Sequence, residues 1–314
     1  MWAVQYRRHG GPEQLQVMQV PEPSLRRGQA LVRVASSCVS RIDAEYLAGR
    51  LPHGIGFPKQ VGLDAIGQVV DPNGTDLAEG SWVTVVLGLE PWARRGTTVE
   101  LLAVEPSRCG KFPTDYAPAK DDCALVLGGL TALKAVRDTL KVRPGDRVLV
   151  VGAGGPVGLA AIQIARLHGA SVDAVAGTRA LNTCRELGAQ QAWDHRSEAA
   201  HARSRRNYDG IVLAAGRPSD WFSVPRRKGR MAITDGGMWP GSIPGAIRNH
   251  VKAIPVAAGH ASSDLTWLAE RIATRDLSPV VHSRFGPVDI RSTFDSLTQP
   301  GTLGARLIDH PDTP

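Results

Sequence analysis

No stretch of this 314-residue chain approaches the roughly 20 consecutive apolar residues that a membrane-crossing helix requires. The opening, MWAVQYRRHG, lacks the apolar core of a signal peptide, which predicts a cytoplasmic protein. Cysteine is scarce. Cys38, Cys109, Cys123 and Cys184 stand apart with no CxxC pair, so no disulfide framework is expected. Aromatic residues make up 5% of the chain, and none interleave with its densest basic run, HARSRR at 201–206. The formal charge of +7 therefore reads as a solvated surface and not as a stacking platform for nucleic acid. Internal repeats and low-complexity tracts are absent as well.

What the chain has is glycine, 34 of them, and one cluster organises the rest. Residues 144–170 read PGDRVLVVGAGGPVGLAAIQIARLHGA: a Pro-Gly-Asp turn, an apolar strand at 148–151, a glycine-rich bend, then a helix. Apolar residues recur along that helix at Val157, Ala161, Ile164 and Ala165, and the whole is the first half of a βαβ nucleotide-binding unit. The spacing from Ala153 to Gly158 is A-x-G-x-x-G. In this reading Ala153 and Gly155 let the backbone turn sharply and approach a pyrophosphate. Gly158 lets the helix pack tightly on the sheet. The segment Gly154, Gly155, Pro156 and Val157 brings the positive end of the helix to the phosphates. A strand–turn–helix connection with no ligand is the plain alternative.

Around this unit the pattern divides. A length of 314 residues, 42% apolar and 21% charged, suits a globular protein of about two domains. Residues 1–35 alternate apolar and polar positions, with a strand at 30–34 and turns at 10–12 and 21–23, and strand character continues through 66–70 and 82–87. Composition changes near 116–118, and 121–140 reads as helix. Strands at 172–176, 210–214, 230–234 and 251–257 follow, with a helix at 180–187. A helix at 265–273, a strand at 280–281, a helix at 290–297 and the apolar pair Leu307-Ile308 close the chain. Such alternation predicts an α/β fold with a parallel, doubly wound sheet.

Several stretches together resemble the medium-chain dehydrogenase/reductase superfamily over nearly the whole length: GGPEQLQV, ALVRVASSCVSRID, VGLDAIGQVV, GGLTALKAV, the glycine-rich unit and LGARLID. The resemblance implies a Rossmann domain at 119–262 inserted into a GroES-like, β-rich catalytic domain formed by 1–118 plus 263–314, with the substrate cleft between them. In the zinc alcohol dehydrogenases of that superfamily a Cys-x-x-Asp element and a Gly-His-Glu element supply catalytic metal ligands. Aligned on Asp43, the cysteine position is Ser40; aligned on Gly62, the histidine position is Leu63 and the glutamate Asp64. Leucine cannot ligate and serine is a poor zinc ligand, and the lobe of closely spaced cysteines that holds a structural zinc in that superfamily is missing too, so no metal is expected. Cys38 sits two residues early and reads as a small buried hydrophobe.

What remains is similar to the zinc-independent quinone oxidoreductase and enoyl reductase branch, whose G-x-D-x-x-G is matched by Gly62 to Gly67. The activity implied is hydride transfer from NADPH to a quinone or an α,β-unsaturated carbonyl, acceptors that delocalise the incoming charge themselves. NADPH is expected because Ala176-Gly177-Thr178-Arg179 stands where NAD enzymes carry an acidic residue; Thr178 and Arg179 are candidates for the 2′-phosphate. Arg179 also reads as a solvated helix-start arginine. His195 is either a contact beside the cofactor phosphates or an exposed loop histidine. By the same resemblance Thr131 lies near the nicotinamide end, though its hydroxyl also suits a bond back to its own turn. Gly216 passes the ribose, Gly236-Gly237 lie near the nicotinamide, and Gly304 matches a closing glycine whose following lysine is here Ala305.

The proton donor is not written plainly. Relatives place a tyrosine near 49–52, and none stands there; Ser40, Tyr46 and His53 are the candidates, with Asp43 as a further acid or as an organiser of local backbone. Trp92 and Trp239 are candidates to flank an aromatic substrate. The resemblance implies a homodimer joined through Rossmann edge strands. Two alternatives remain open at this point: a tailoring reductase or cyclase acting on one specialised metabolite, and a catalytically idle relative that binds NADPH or RNA.

Overall fold

The computed structural model describes residues 1–51, 56–88, 94–204, 207–234, 247–256, 261–297, 299, 301 and 303–311. His53, Trp92, Gly236, Gly237 and Trp239 lie outside these residues. No helix among the described residues is long and apolar enough to cross a membrane.

The N-terminal part is built from β1 (Trp2–Tyr6), β2 (Gln16–Gln19), β3 (Ala30–Val39), β4 (Lys59–Gln60), β5 (Asp64–Asp71), β6 (Trp82–Val86), β7 (Leu101–Val104) and β8 (Cys109–Lys111). The expected strand at 30–34 continues to Val39 because ASSCV offers small and β-branched side chains that bury on both faces. A short helix, α1 (Arg41–Leu47), follows it directly.

The central sheet is parallel throughout. Its strands are β9 (Arg147–Val151), β10 (Ser171–Ala176), β11 (Gln191–Asp194), β12 (Tyr208–Leu213), β13 (Pro225–Ile233) and β14 (Lys252–Pro255). They lie in the order β11-β10-β9-β12-β13-β14, the doubly wound arrangement with its switch point between β9 and β12. β9 reads RVLVV, apolar without alternation after its first residue, because both faces of a parallel sheet are covered. β11 carries no sequence signal of its own: QAWD is four residues long and its burial comes from neighbours.

β15 (Val281–Phe285) and β16 (Ala305–Asp309) return to the first part of the chain, where β16 pairs antiparallel with β3 in the mixed sheet β15-β16-β3-β5-β6-β8. One apolar cluster joins the two sheets, running from Cys38, Ile66 and Val86 through Leu130 and Leu133 to Val148 and Val150. Between the sheets lies the helical stretch 120–140. It is tight and three-residue-turned over Lys120–Leu125, α-helical as α2 over Val126–Leu133, and widened to a π-helix over Lys134–Leu140. α3 (Pro156–Leu167) follows β9, and α4 (Leu181–Glu186) follows β10.

Candidate active site

The site begins at the end of β9. Gly152 has φ +79°, and a Cβ there would lie 2.6 Å from the Ala215 Cβ beyond β12. This left-handed residue makes the sharp turn, and the A-x-G-x-x-G spacing, counted from Ala153, passed over it. The amides of Gly152 and Ala153 both donate to the Val175 carbonyl at 3.0 Å, anchoring the turn to β10. Gly155 caps α3, and a Cβ added to it would meet nothing nearer than 3.8 Å, so its outer side is open. Gly158 sits one turn into the helix, where a Cβ would fall 2.5 Å from the Gly152 carbonyl. Pro156 occupies the first helical position, where its missing amide costs nothing, and the amides of Val157 and Gly158 lie in the first turn, where intrahelical partners run out.

Two further segments close on this turn. Gly304 donates its amide to the Gly154 carbonyl at 2.9 Å. α2 packs on the start of α3, with a Cβ at Gly128 falling 3.0 Å from Pro156. Thr131, one turn along α2, donates its hydroxyl to the Leu127 carbonyl at 2.9 Å. The amide of Leu127 in turn donates to Asp64 at 2.9 Å, which ties α2 to β5; burial pushes the Asp64 carboxyl up to about 8.

At the far end of the turn, Arg179 is exposed beyond β10, and His195 donates from Nδ1 to the Ala176 carbonyl at 3.1 Å. Thr178 donates its hydroxyl to the Asp194 carboxylate, which also accepts the Arg196 amide at 2.7 Å. These bonds, the Thr178 hydroxyl first, hold the Asp194 carboxyl below its usual range. A carboxylate therefore does stand beside the Thr178 strand end. It arrives from the end of β11, a strand with no sequence signal, so the residues at the β10 end alone do not announce it. Gly216 lies past β12 with φ +93° and open space around it.

Ser40, Asp43 and Tyr46 come together on α1. Asp43 accepts the Ser40 amide at 2.8 Å and the Ser40 hydroxyl at 2.9 Å on one oxygen, and the Gly62 amide at 2.9 Å on the other. Its carboxyl is raised by burial, with the bonds from Ser40 and Gly62 opposing the rise. Asp43 thus caps the Ser40 amide at the start of α1 and holds α1 against the loop entering β5. Tyr46 is buried, and its phenol is raised by burial first and by Asp43 second. With Tyr6, Asp43 and Leu63 it lines a cavity of about 10 Å³, close to the room one water needs. The Tyr6 hydroxyl is buried there without a hydrogen-bond partner among the described residues.

No protein-family model matches the sequence. The chain is 26% identical over 310 residues to a chloroplast envelope quinone oxidoreductase homolog of Arabidopsis thaliana, covering 90% of this chain and 91% of that one. It is 27% identical over 252 residues to a trans-enoyl reductase of Aspergillus terreus, covering 70% of this chain and 69% of that one. A solved NAD-dependent alcohol dehydrogenase superposes with a TM-score of 0.88 at 25% identity, covering 98% of this chain and 99% of the other.

Proposed function

We propose, with the medium-chain dehydrogenase/reductase fold as the premise, that this chain is an NADPH-dependent reductase that transfers hydride to a quinone or α,β-unsaturated carbonyl without a catalytic metal. One observation carries the reading. The turn 152–158 leaves the outer side of Gly155 open directly before the first amides of α3, a cradle that fits a dinucleotide pyrophosphate and that any side chain at that glycine would fill.

When bound, the nicotinamide supplies the hydride. The chain's part is to hold and orient. Gly155, Val157 and Gly158 take the phosphates. Arg179, exposed at the β10 end, takes the 2′-phosphate, while Asp194 is turned onto Thr178 and the Arg196 amide. Leu63 offers no ligand atom and the Ser40 hydroxyl is bonded to Asp43, so the reacting oxygen has no Lewis acid from these positions. Acceptors whose product is an enolate or phenolate suit such a site, because the charge is spread over the acceptor, and water completes the protonation. The names of the two relatives, a quinone oxidoreductase homolog and a trans-enoyl reductase, point to the same two acceptor classes. The outer edge of β14 is where a second copy would extend the sheet, a proposal that light scattering tests directly.

The deciding experiment is a fluorescence titration with NADPH and NADH, followed by NADPH oxidation over a panel of quinones and enones. Selective NADPH binding with turnover on that panel is the expected result. Binding of neither nucleotide would remove the reading altogether.

A further inference from the structure

A second group of chemically able side chains lies behind α2. Cys38 and Asp64 face each other directly across β3 and β5, and Cys123 reaches them from the helical turn Lys120–Leu125. All three are buried, and their sulfur and carboxylate atoms all lie within 4.8 Å of one another. The two sulfurs are 3.7 Å apart. The three groups already converge.

We propose that Cys38, Cys123 and Asp64 supply three of the four tetrahedral ligands of one thiophilic divalent cation, with zinc the best fit, as a structural site. In tetrahedral zinc with bonds of about 2.3 Å, two sulfur ligands stand about 3.8 Å apart, and the cysteine pair has that separation. The Leu127 amide on Asp64 supplies the outer hydrogen bond that orients a ligating carboxylate. Two thiolates disfavour calcium and magnesium, which take oxygen ligands. Asp64 falls at the glutamate of the Gly-His-Glu element, but the cysteine and histidine positions of the catalytic metal are Ser40 and Leu63, and neither takes part here. Buried on all sides, the site offers no substrate access. Its effect is to pin β3 and β5 to the start of α2, the helix that carries Thr131. The present contacts there are weak ones, Cys38 Sγ to the Cys123 carbonyl at 3.3 Å and Cys123 Sγ to the Ser36 carbonyl at 3.4 Å. Each ligating thiol gives its proton to solvent as the metal binds, and the buried position means the ion enters during folding.

The test is metal analysis of the full chain, produced in medium supplied with zinc and, separately, with cobalt. The expected result is about one metal per chain after gel filtration, with an intense thiolate-to-cobalt band in the near ultraviolet for the cobalt form. The Cys109→Ser variant keeps both signals, and Cys38→Ser and Cys123→Ser each lose them. Should those variants fail to fold, the wild-type stoichiometry and cobalt spectrum still decide. Folded wild-type protein without stoichiometric metal overturns the proposal, and so does a Cys38–Cys123 disulfide, seen as the loss of two hydrogens in the intact mass.

Discussion

Gly304 donates its backbone N–H to the Gly154 carbonyl at 2.9 Å, so the closing segment of the chain is fastened to the glycine-rich turn. Gly304 has φ +84°, and a Cβ there would run into the Val280 carbonyl. Alanine at this position must either strain the backbone or move the segment, and moving it breaks the bond to the turn. Gly304→Ala is expected to lower the melting temperature and to weaken NADPH binding together. Gly286→Ala is the control, because Gly286 has an ordinary φ of −78° and an added Cβ there meets nothing nearer than 3.6 Å. A Gly304→Ala protein with unchanged nucleotide affinity would show that the two segments are not coupled.

In the proposed NADPH site the Arg179 guanidinium is assigned to the 2′-phosphate, and such charge-assisted bonds contribute about 1.5–3 kcal/mol. Arg179→Ala is therefore expected to weaken NADPH binding by about 10- to 100-fold and to leave NADH nearly unchanged. Parallel titrations of both nucleotides check this. Equal losses for both would assign Arg179 a structural role.

The parallel sheet was legible in the sequence wherever a strand was long and apolar, as in β9 and β10, and the glycine-rich turn marked its switch point. What escaped notice depended on neighbours. β11 is four residues, and only its pairing with β10 makes it a strand, so Asp194 and its bond from Thr178 were hidden with it. Gly152 escaped because the motif was counted from Ala153. Asp43, weighed both as an acid and as an organiser of backbone, turns out to accept three hydrogen bonds, including one from Gly62 on the far side of α1. The meeting of Cys38 with Cys123 is a purely tertiary event, invisible to spacing.

Ser40 donates its hydroxyl to the buried Asp43 carboxyl at the start of α1, and a hydrogen bond to a charged group contributes about 1.5–3 kcal/mol. If holding Asp43 is its role, Ser40→Ala lowers stability by about that amount and changes kcat by less than about threefold. Denaturant unfolding and steady-state kinetics on the same preparation check both halves. A loss of about 100-fold or more in kcat with stability intact would instead place the hydroxyl in the proton-transfer step.

His310 connects pH to stability. The residue is buried, its Nε2 lies 3.0 Å from the Ser37 hydroxyl, and its ring packs edge-on against Trp2. Burial first, and the nearby Lys120 second, lower its pKa from 6.5 to about 3. The folded protein thus holds a neutral imidazole over a range where the unfolded chain takes up a proton. This contribution to stability is fully present above pH 6.5 and is lost as pH falls toward 3. Between pH 7 and pH 5 the loss amounts to about 2 kcal/mol, since each unit of pKa difference is worth about 1.4 kcal/mol. Asp43 works the other way: its raised carboxyl binds a proton more readily in the folded state, so it adds stability as the pH falls. The histidine term is isolated by comparing the wild type with His310→Gln, which keeps a polar side chain and cannot titrate. Denaturant unfolding at a series of pH values should give a flatter profile for the variant over pH 7 to 5, by about one proton's worth of slope. Identical slopes for the two proteins would mean that His310 takes up its proton without unfolding the chain.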